Sequence, residues 1–115
     1  RLDCVPFAIV VNRDVVRFYD EGEDVWPKRY AIWGRLIAQQ PGQVAFAVTD
    51  GQAELNYLPS VFPPYRADTI EGVAAQAGLD GAKLAGVVAA YNAAVRPGTF
   101  RPMVPDDCRT EGLTP

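Results

Sequence analysis

Hydrophobic and polar positions alternate in type along this chain in a way that sorts it into short strands and amphipathic helices. Phe7 to Asn12 is an apolar, β-branched run, the pattern of a buried strand. Asn12-Arg13-Asp14 has turn chemistry, and Val15 to Tyr19 reads as the returning arm of a hairpin. Asp20 to Asp24 is acidic and contains Gly22, which predicts a loop. Pro27 suits the first turn of a helix. Tyr30, Trp33, Leu36 and Ile37 recur at helical spacing with Ile32 beside them, predicting a helix near residues 27–40 that Pro41-Gly42 ends. Gln43 to Thr49 is the next strand, closed by the Asp50-Gly51 turn signal. Gln52 to Tyr65 holds Pro59, Pro63 and Pro64, a density that excludes a regular interior element.

Two helices follow. Asp68-Thr69-Ile70-Glu71 has the form of a capping box, with Asp68 as N-cap and Glu71 reaching back, opening a helix over 69–77 that runs to Gly78. Asp80 is the N-cap expected for a second helix over 81–95, whose inward stripe is Leu84, Val87, Val88, Tyr91 and Val95. Pro97-Gly98 stops it, and Thr99 to Pro115 reads as an extended tail. The predicted order is strand, strand, helix, strand, helix, helix. That is an α+β fold with a small antiparallel sheet, an N-terminal hairpin and about three helices, in one domain spanning residues 1–115.

Composition narrows the function. The apolar fraction of 49% against 22% charged is that of a soluble globular domain. A net charge of −3 without any basic run argues against nucleic acid. No apolar run has the length of a membrane span, and no signal peptide is visible. Cys4 and Cys108 read as two separate thiols of a reducing, cytoplasmic compartment; a disulfide or a metal pair is the alternative. With no histidine, a zinc site is disfavoured, and the usual general base and catalytic triad are absent. Proton transfer would have to use Arg, Lys, Tyr, Asp or Glu. There is no G-x-G-x-x-G and no P-loop, so the chain alone is expected to bind no flavin or nucleotide. The chain opens on Arg1 and closes on Glu111-Gly112-Leu113-Thr114-Pro115 without a capping element, so excision from a longer polypeptide is the expectation.

The segment Val11-Asn12 through Arg17-Phe18-Tyr19-Asp20-Glu21 resembles the "VN-x-x-G-x-R-F-x-N-E" signature of FAD-dependent fumarate reductase and succinate dehydrogenase flavoproteins. Further segments resemble that family in the same order. Trp26 through Leu36 is similar to its "x-x-R-D-x-x-x-x-A-I" helix start, and Gln43 to Asp50 to its "x-A-Y-x-I-F-D" strand. Ala67-Asp68-Thr69-Ile70-Glu71 through Leu79-Asp80 is similar to "A-D-T-I-E-E-L-A-x-x-x-G-L-D", and Tyr91-Asn92-Ala93-Ala94-Val95 to "V-x-x-Y-N-x-x-V". Asp20 to Asp24, Trp26 to Tyr30 and Asp107 to Gly112 look most like the tricarballylate dehydrogenase-type members. In two places the chain departs from the family: Val15 stands where it usually has Gly, and Tyr30 follows Arg29 where it has Asp. A β-branched residue resists positive φ, so the turn is expected to change type or to shift by a residue.

The resemblance implies a capping domain that closes over flavin and substrate. FAD would be held by an FAD-binding domain of the same polypeptide. The substrate would be a di- or tricarboxylic acid, with an electron-transfer partner beyond it. Arg29 would be the catalytic residue, relaying a proton to or from the substrate carbon. A guanidinium is a poor acid, so neighbouring carboxylates must complete the relay and hold it rigid; Glu21, Glu23 and Asp24 are the candidates. Arg17 would pair with Glu21 or Asp20, positioning the loop. Lys28 and Arg35 would attract a polyanionic substrate. Arg109, Thr110 and Glu111 resemble a stretch near the return to the FAD-binding domain and are candidate substrate contacts. Trp26 and Trp33 either line the roof over the flavin or belong to the core. Two other functions stay open: a non-catalytic α+β interaction module, and a cap for a non-carboxylate substrate such as a 3-ketosteroid, with Tyr as the acid.

Overall fold

Strand β1 (Ile9–Asn12) is the middle of the molecule, and the two faces of its pleat bury different side chains. The structure, a computed structural model, describes residues 2–22, 28–99, 101, 104 and 110–112. β1 pairs antiparallel with β2 (Ala45–Val48), in the register Ile9 to Val48 through Asn12 to Ala45. Successive strand residues point to opposite faces. Val11 therefore joins Val15, Ala74 and Leu84 in one core cluster, while Val10 joins Val5 and Trp33 in another. Helices α2 (Ile70–Ala77) and α3 (Gly81–Ala94) cover the first face, and α1 (Lys28–Ala38) covers the second through Trp33. A strand buried on both faces has no polar face to show. That is why Ile9-Val10-Val11 reads as a continuous apolar run.

The architecture is the expected α+β arrangement of a small antiparallel sheet and three helices. The principal partner of β1 is β2, whose residues pair with it across 33 to 39 positions, while the near arm of the hairpin contributes a single bridge, Val11 to Arg17. The reason lies in the turn. Asn12 Oδ1 accepts from the backbone N–H groups of both Asp14 and Val16 at 3.0 Å, and Val15 N–H donates to the Asn12 carbonyl. This side-chain-closed turn is tight, and the arm leaves the sheet after one pairing.

The turn also corrects the expectation at Val15. It keeps the geometry that favours glycine: Val15 sits at φ 62° and is buried at 4% exposure. The left-handed conformation costs a side-chain-bearing residue about 1–2 kcal/mol. Burying most of a valine side chain returns about as much, and the two Asn12 hydrogen bonds hold the loop in place.

The caps of α2 and α3 follow local chemistry. Asp80 caps α3 as expected, its Oδ1 accepting from Lys83 N–H at 3.0 Å. At α2 the cap is Thr69, not Asp68: Thr69 Oγ1 accepts from Gly72 N–H at 3.0 Å. Gly72 makes room for this, because a Cβ there would come within 2.9 Å of that hydroxyl. Gly78 ends α2 at φ 69°; its N–H donates to Ala75 and that of Leu79 to Ala74, the paired bonds of a Schellman ending.

Helix α3 stops one residue short of the expected span. Val95 leaves it to form β3 (Val95–Arg96), which pairs parallel with β4 (Thr110–Glu111). The end of the tail, expected to be extended, thus returns to the end of α3. Between β2 and α2 the chain is irregular apart from a short 3-10 turn, Ala53–Asn56, consistent with its prolines. Among the described residues no helix is long and apolar enough to cross a membrane.

Val15 offers a direct stability test. Glycine normally costs about 0.5–1 kcal/mol relative to alanine. Here the order should invert: Val15→Ala keeps the backbone penalty and loses buried methyls, costing about 2 kcal/mol. Val15→Gly loses the same packing but relieves the φ penalty and should lie about 1 kcal/mol above alanine. Denaturant unfolding of both variants measures the order.

Candidate functional site

The polar residues of the hairpin motif converge on one buried clamp. Glu21 is buried, and its Oε1 accepts from Val10 N–H at 2.8 Å and from Arg17 Nε at 3.0 Å. Arg17 Nη2 bonds the other carboxylate oxygen, Oε2, so the pair is bidentate. The opposite face of the guanidinium lies over the Tyr91 ring of α3, 5.1 Å from its centroid. The clamp thus links β1, the arm after the turn, and α3. Asp20 turns its Oδ1 to Gly22 N–H at 2.9 Å and shapes the corner that follows. Both oxygens of Glu21 are engaged, which holds its side chain in one place.

Asn12 is the residue whose role the sequence understated. Besides closing the turn through Oδ1, its Nδ2 donates to Gln40 Oε1 at 3.1 Å, and Gln40 Nε2 donates to the Leu36 carbonyl. The hairpin turn is thereby tied to the C-terminal end of α1. Asparagine at the first position of a turn was the available signal, since its side chain commonly bonds backbone two residues on.

Helix α1 differs from its expected stripe in one position that matters. Tyr30 is 53% exposed, while Arg29 is 5% exposed and lies one turn before the fully buried Trp33. The inward face of α1 therefore begins with a cation. Trp33 belongs to the core, meeting Phe18 and Tyr19 edge-on at ring-centroid distances of 5.6 and 5.7 Å. Arg35 is exposed, and its place six residues after Arg29 puts the two on different sides of the helix. Lys28 opens α1, and Thr110 and Glu111 form β4 beside the end of α3, with Glu111 exposed. The side chains of Lys28 and Thr110, and all of Glu23, Asp24, Trp26, Cys108 and Arg109, lie outside the described residues. Cys4 is buried.

A separate cleft of about 780 Å³ opens along the outer edge of β2, between that strand, the loop 49–68 and α2. Tyr57, Tyr65, Val73 and Leu79 supply apolar lining, and Asp50, Glu54, Arg66 and Asp68 the polar part. None of Arg17, Glu21, Arg29 or Arg35 reaches it. Arg66 and Glu54 form a bidentate pair, with Arg66 Nη1 to Glu54 Oε2 at 2.7 Å. The hydrogen bond from Arg66, and then its charge, hold the Glu54 carboxyl below its ordinary pKa. Among the described residues no group of three or more His, Cys, Asp or Glu side chains is placed to hold a metal ion. No family model, curated protein or solved structure matches the chain.

Two measurements check this arrangement. Glu21→Ala leaves Arg17 without its buried counter-charge and Val10 N–H without an acceptor, and should cost about 3 kcal/mol in denaturant unfolding. Glu21→Gln keeps an acceptor for Val10 and should cost less. For the second pair, the lowered pKa of Glu54 means its contribution is present above the ordinary carboxylate range and is lost as pH falls through the lowered value. Arg66→Gln should raise the Glu54 midpoint in a side-chain NMR titration, with little change in global stability because the pair is exposed.

Proposed function

We propose that this domain is the substrate-capping domain of a cytoplasmic FAD-dependent oxidoreductase acting on a di- or tricarboxylic acid, with Arg29 as the residue that moves the proton. The observation that carries the reading is the burial of Arg29 at the first turn of α1. The charge is held inside the protein at the opening turn of the helix, where a solvated surface lysine or arginine would not be. Its guanidinium has left water, which costs several kcal/mol for an ion. It also sits at the end of a helix where the backbone dipole disfavours positive charge. Burial and a helix N-terminus both disfavour a cation, which agrees with a residue placed for chemistry.

The segments that resemble the fumarate reductase and succinate dehydrogenase flavoproteins run in the same order along the chain, and Arg29 occupies the place of the family's proton-relaying arginine. The described residues contain no glycine-rich strand-to-helix turn fit to cradle a pyrophosphate, so FAD is assigned to a companion domain. When bound there, it supplies the hydride chemistry.

This chain's own share is to cover the substrate, attract its carboxylates and hold a proton at the Arg29 guanidinium. Because Glu21 is committed to Arg17 and Val10, it is a positioning residue here, and the carboxylate that exchanges the proton with Arg29 is assigned to Glu23 or Asp24. Arg17 positions Glu21. Lys28, Arg35, Arg109, Thr110 and Glu111 are assigned to the substrate's approach and its carboxylates.

Turnover by the full-length polypeptide with bound FAD tests the assignment. Arg29→Ala and Arg29→Lys should each lower kcat on a tricarboxylate by about 10²–10⁴-fold, the range of a lost general acid or base, with flavin content unchanged. Lysine keeps the charge but not the planar fork a relay needs. The loss should fall on kcat more than KM, because the proton moves in the transition state. Near-normal kcat in Arg29→Lys would overturn the role. A full-length polypeptide without flavin would overturn the capping-domain reading itself.

A further inference from the structure

The cleft beside β2 is walled by every residue of that strand in succession, Ala45 to Val48, and then by Thr49, Asp50 and Gly51. Successive strand residues point to opposite faces, so a cavity over one face would meet only alternate positions. A cavity that meets all of them lies along the strand's edge. No residue of β1 lines it, so this is the outer edge, away from the β1 ladder. Among the described residues no strand pairs with it.

Hydrogen bonding on the far side of β1 fixes which groups the outer edge presents. Val10 N–H donates to Glu21 Oε1 at 2.8 Å, and Asn12 N–H to the Val16 carbonyl at 3.0 Å, both away from β2. In an antiparallel ladder, hydrogen-bonded and non-hydrogen-bonded pairs alternate. Val10 with Ala47 and Asn12 with Ala45 are therefore the non-hydrogen-bonded pairs. Ala45 and Ala47 accordingly turn their N–H and C=O groups outward into the cleft, about 7 Å apart along the strand. Natural sheets commonly blunt such an edge with a charge, a proline or a bulge. Ala45–Val48 carries no charge and no proline, and its register with β1 is unbroken.

We propose that this edge binds an extended peptide segment carrying basic side chains, which pairs with β2 as an added strand. The first argument for this occupant is the backbone. Donor and acceptor groups that repeat at the strand period are matched by another extended main chain, the basis of peptide recognition by strand addition.

The second argument is charge. Of the charged residues that line the cleft, Glu54 and Arg66 neutralise each other, which leaves Asp50 and Asp68. Both are exposed, and neither is in an ion pair among the described residues. A lysine or arginine on the incoming segment is attracted by both. The β2 edge of a second copy would instead bring its own two carboxylates to the same cleft, and like charges disfavour it, as they do an acidic segment. The cleft shares no lining residue with the Arg17–Glu21 clamp or with Arg29, so binding here does not depend on the capping-domain chemistry.

The probes are fluorescein-labelled peptides of alternating valine and threonine, about seven residues long to match the wall from Ala45 to Gly51. Each carries a pair of lysines, placed differently along the panel. Titrated against the 115-residue chain, at least one should bind saturably below about 1 mM. Amide hydrogen exchange at Ala45 and Ala47 should slow by at least about tenfold in that complex. N-methylating the alternate peptide amides of the pairing edge removes main-chain donors without altering the protein, and should weaken binding by at least about tenfold. The same change on the other edge should be tolerated. Replacing the lysines by glutamates, or Asp68→Lys in the protein, should also weaken binding. Asp68 is exposed, so that variant should keep the wild-type circular dichroism and melting temperature. Failure of every probe to bind overturns the proposal, as does binding that tolerates N-methylation of either edge. Equal binding of the lysine and glutamate peptides overturns the basic partner. Exchange at Ala45 and Ala47 that slows in the free chain as its concentration rises overturns the proposal in favour of a second copy.

Discussion

The molecule depends on one requirement: both edges of a strand buried between helices must find hydrogen-bond partners. β1 pairs with β2 on one edge, but the arm after the turn leaves after a single bridge. Val10 N–H on that second edge would be a buried donor without an acceptor, at a cost of about 1–3 kcal/mol. The carboxylate of Glu21 supplies the acceptor, and a buried carboxylate in turn requires a cation. Arg17 provides it and rests on Tyr91 of α3. The charged pair therefore belongs to the sheet's own hydrogen-bonding scheme, and through Tyr91 it fixes how α3 meets the sheet.

Features that depend on local chemistry were legible in the sequence. The three helices, the Asp80 cap, the Gly78 ending and the pairing of Arg17 with Glu21 each follow from residues within a few positions of one another. Features decided by distant partners were not. Nothing in residues 7–19 reveals that β1 prefers Ala45–Val48 over its own hairpin arm. Nothing in the tail announces that Thr110–Glu111 returns to Val95–Arg96. The α2 cap is Thr69 rather than Asp68, and the room that Gly72 leaves for its hydroxyl is a detail that a search for the Asp-to-Glu spacing cannot see.

The candidate site divides along the same line. The motif residues Arg17 and Glu21 could be recognised from sequence, but not that Glu21 is buried and accepts from Val10 N–H of β1. At α1 the apolar spacing selected Tyr30 as the inward residue, yet the helix turns Arg29 inward and leaves Tyr30 in solvent. Periodicity assumes that the apolar residue takes the buried place. It misleads where a charge occupies the position an apolar side chain would take.

Val15 and Arg29 share this character, since each opposes its local preference. For Val15 the compensation is visible: its methyls fill the core formed by Val11, Ala74 and Leu84, and Asn12 closes the turn around it. The strain there is offset within the fold, so Val15 calls for no functional explanation. Arg29 places charge where helix electrostatics and burial both oppose it, beside a tryptophan already at the centre of an aromatic cluster. Packing alone would favour an apolar side chain one turn before Trp33. A strained residue that fills the core and a charge held inside it are thus two different departures from local preference, the first offset by packing and the second set against the apolar surroundings of Trp33.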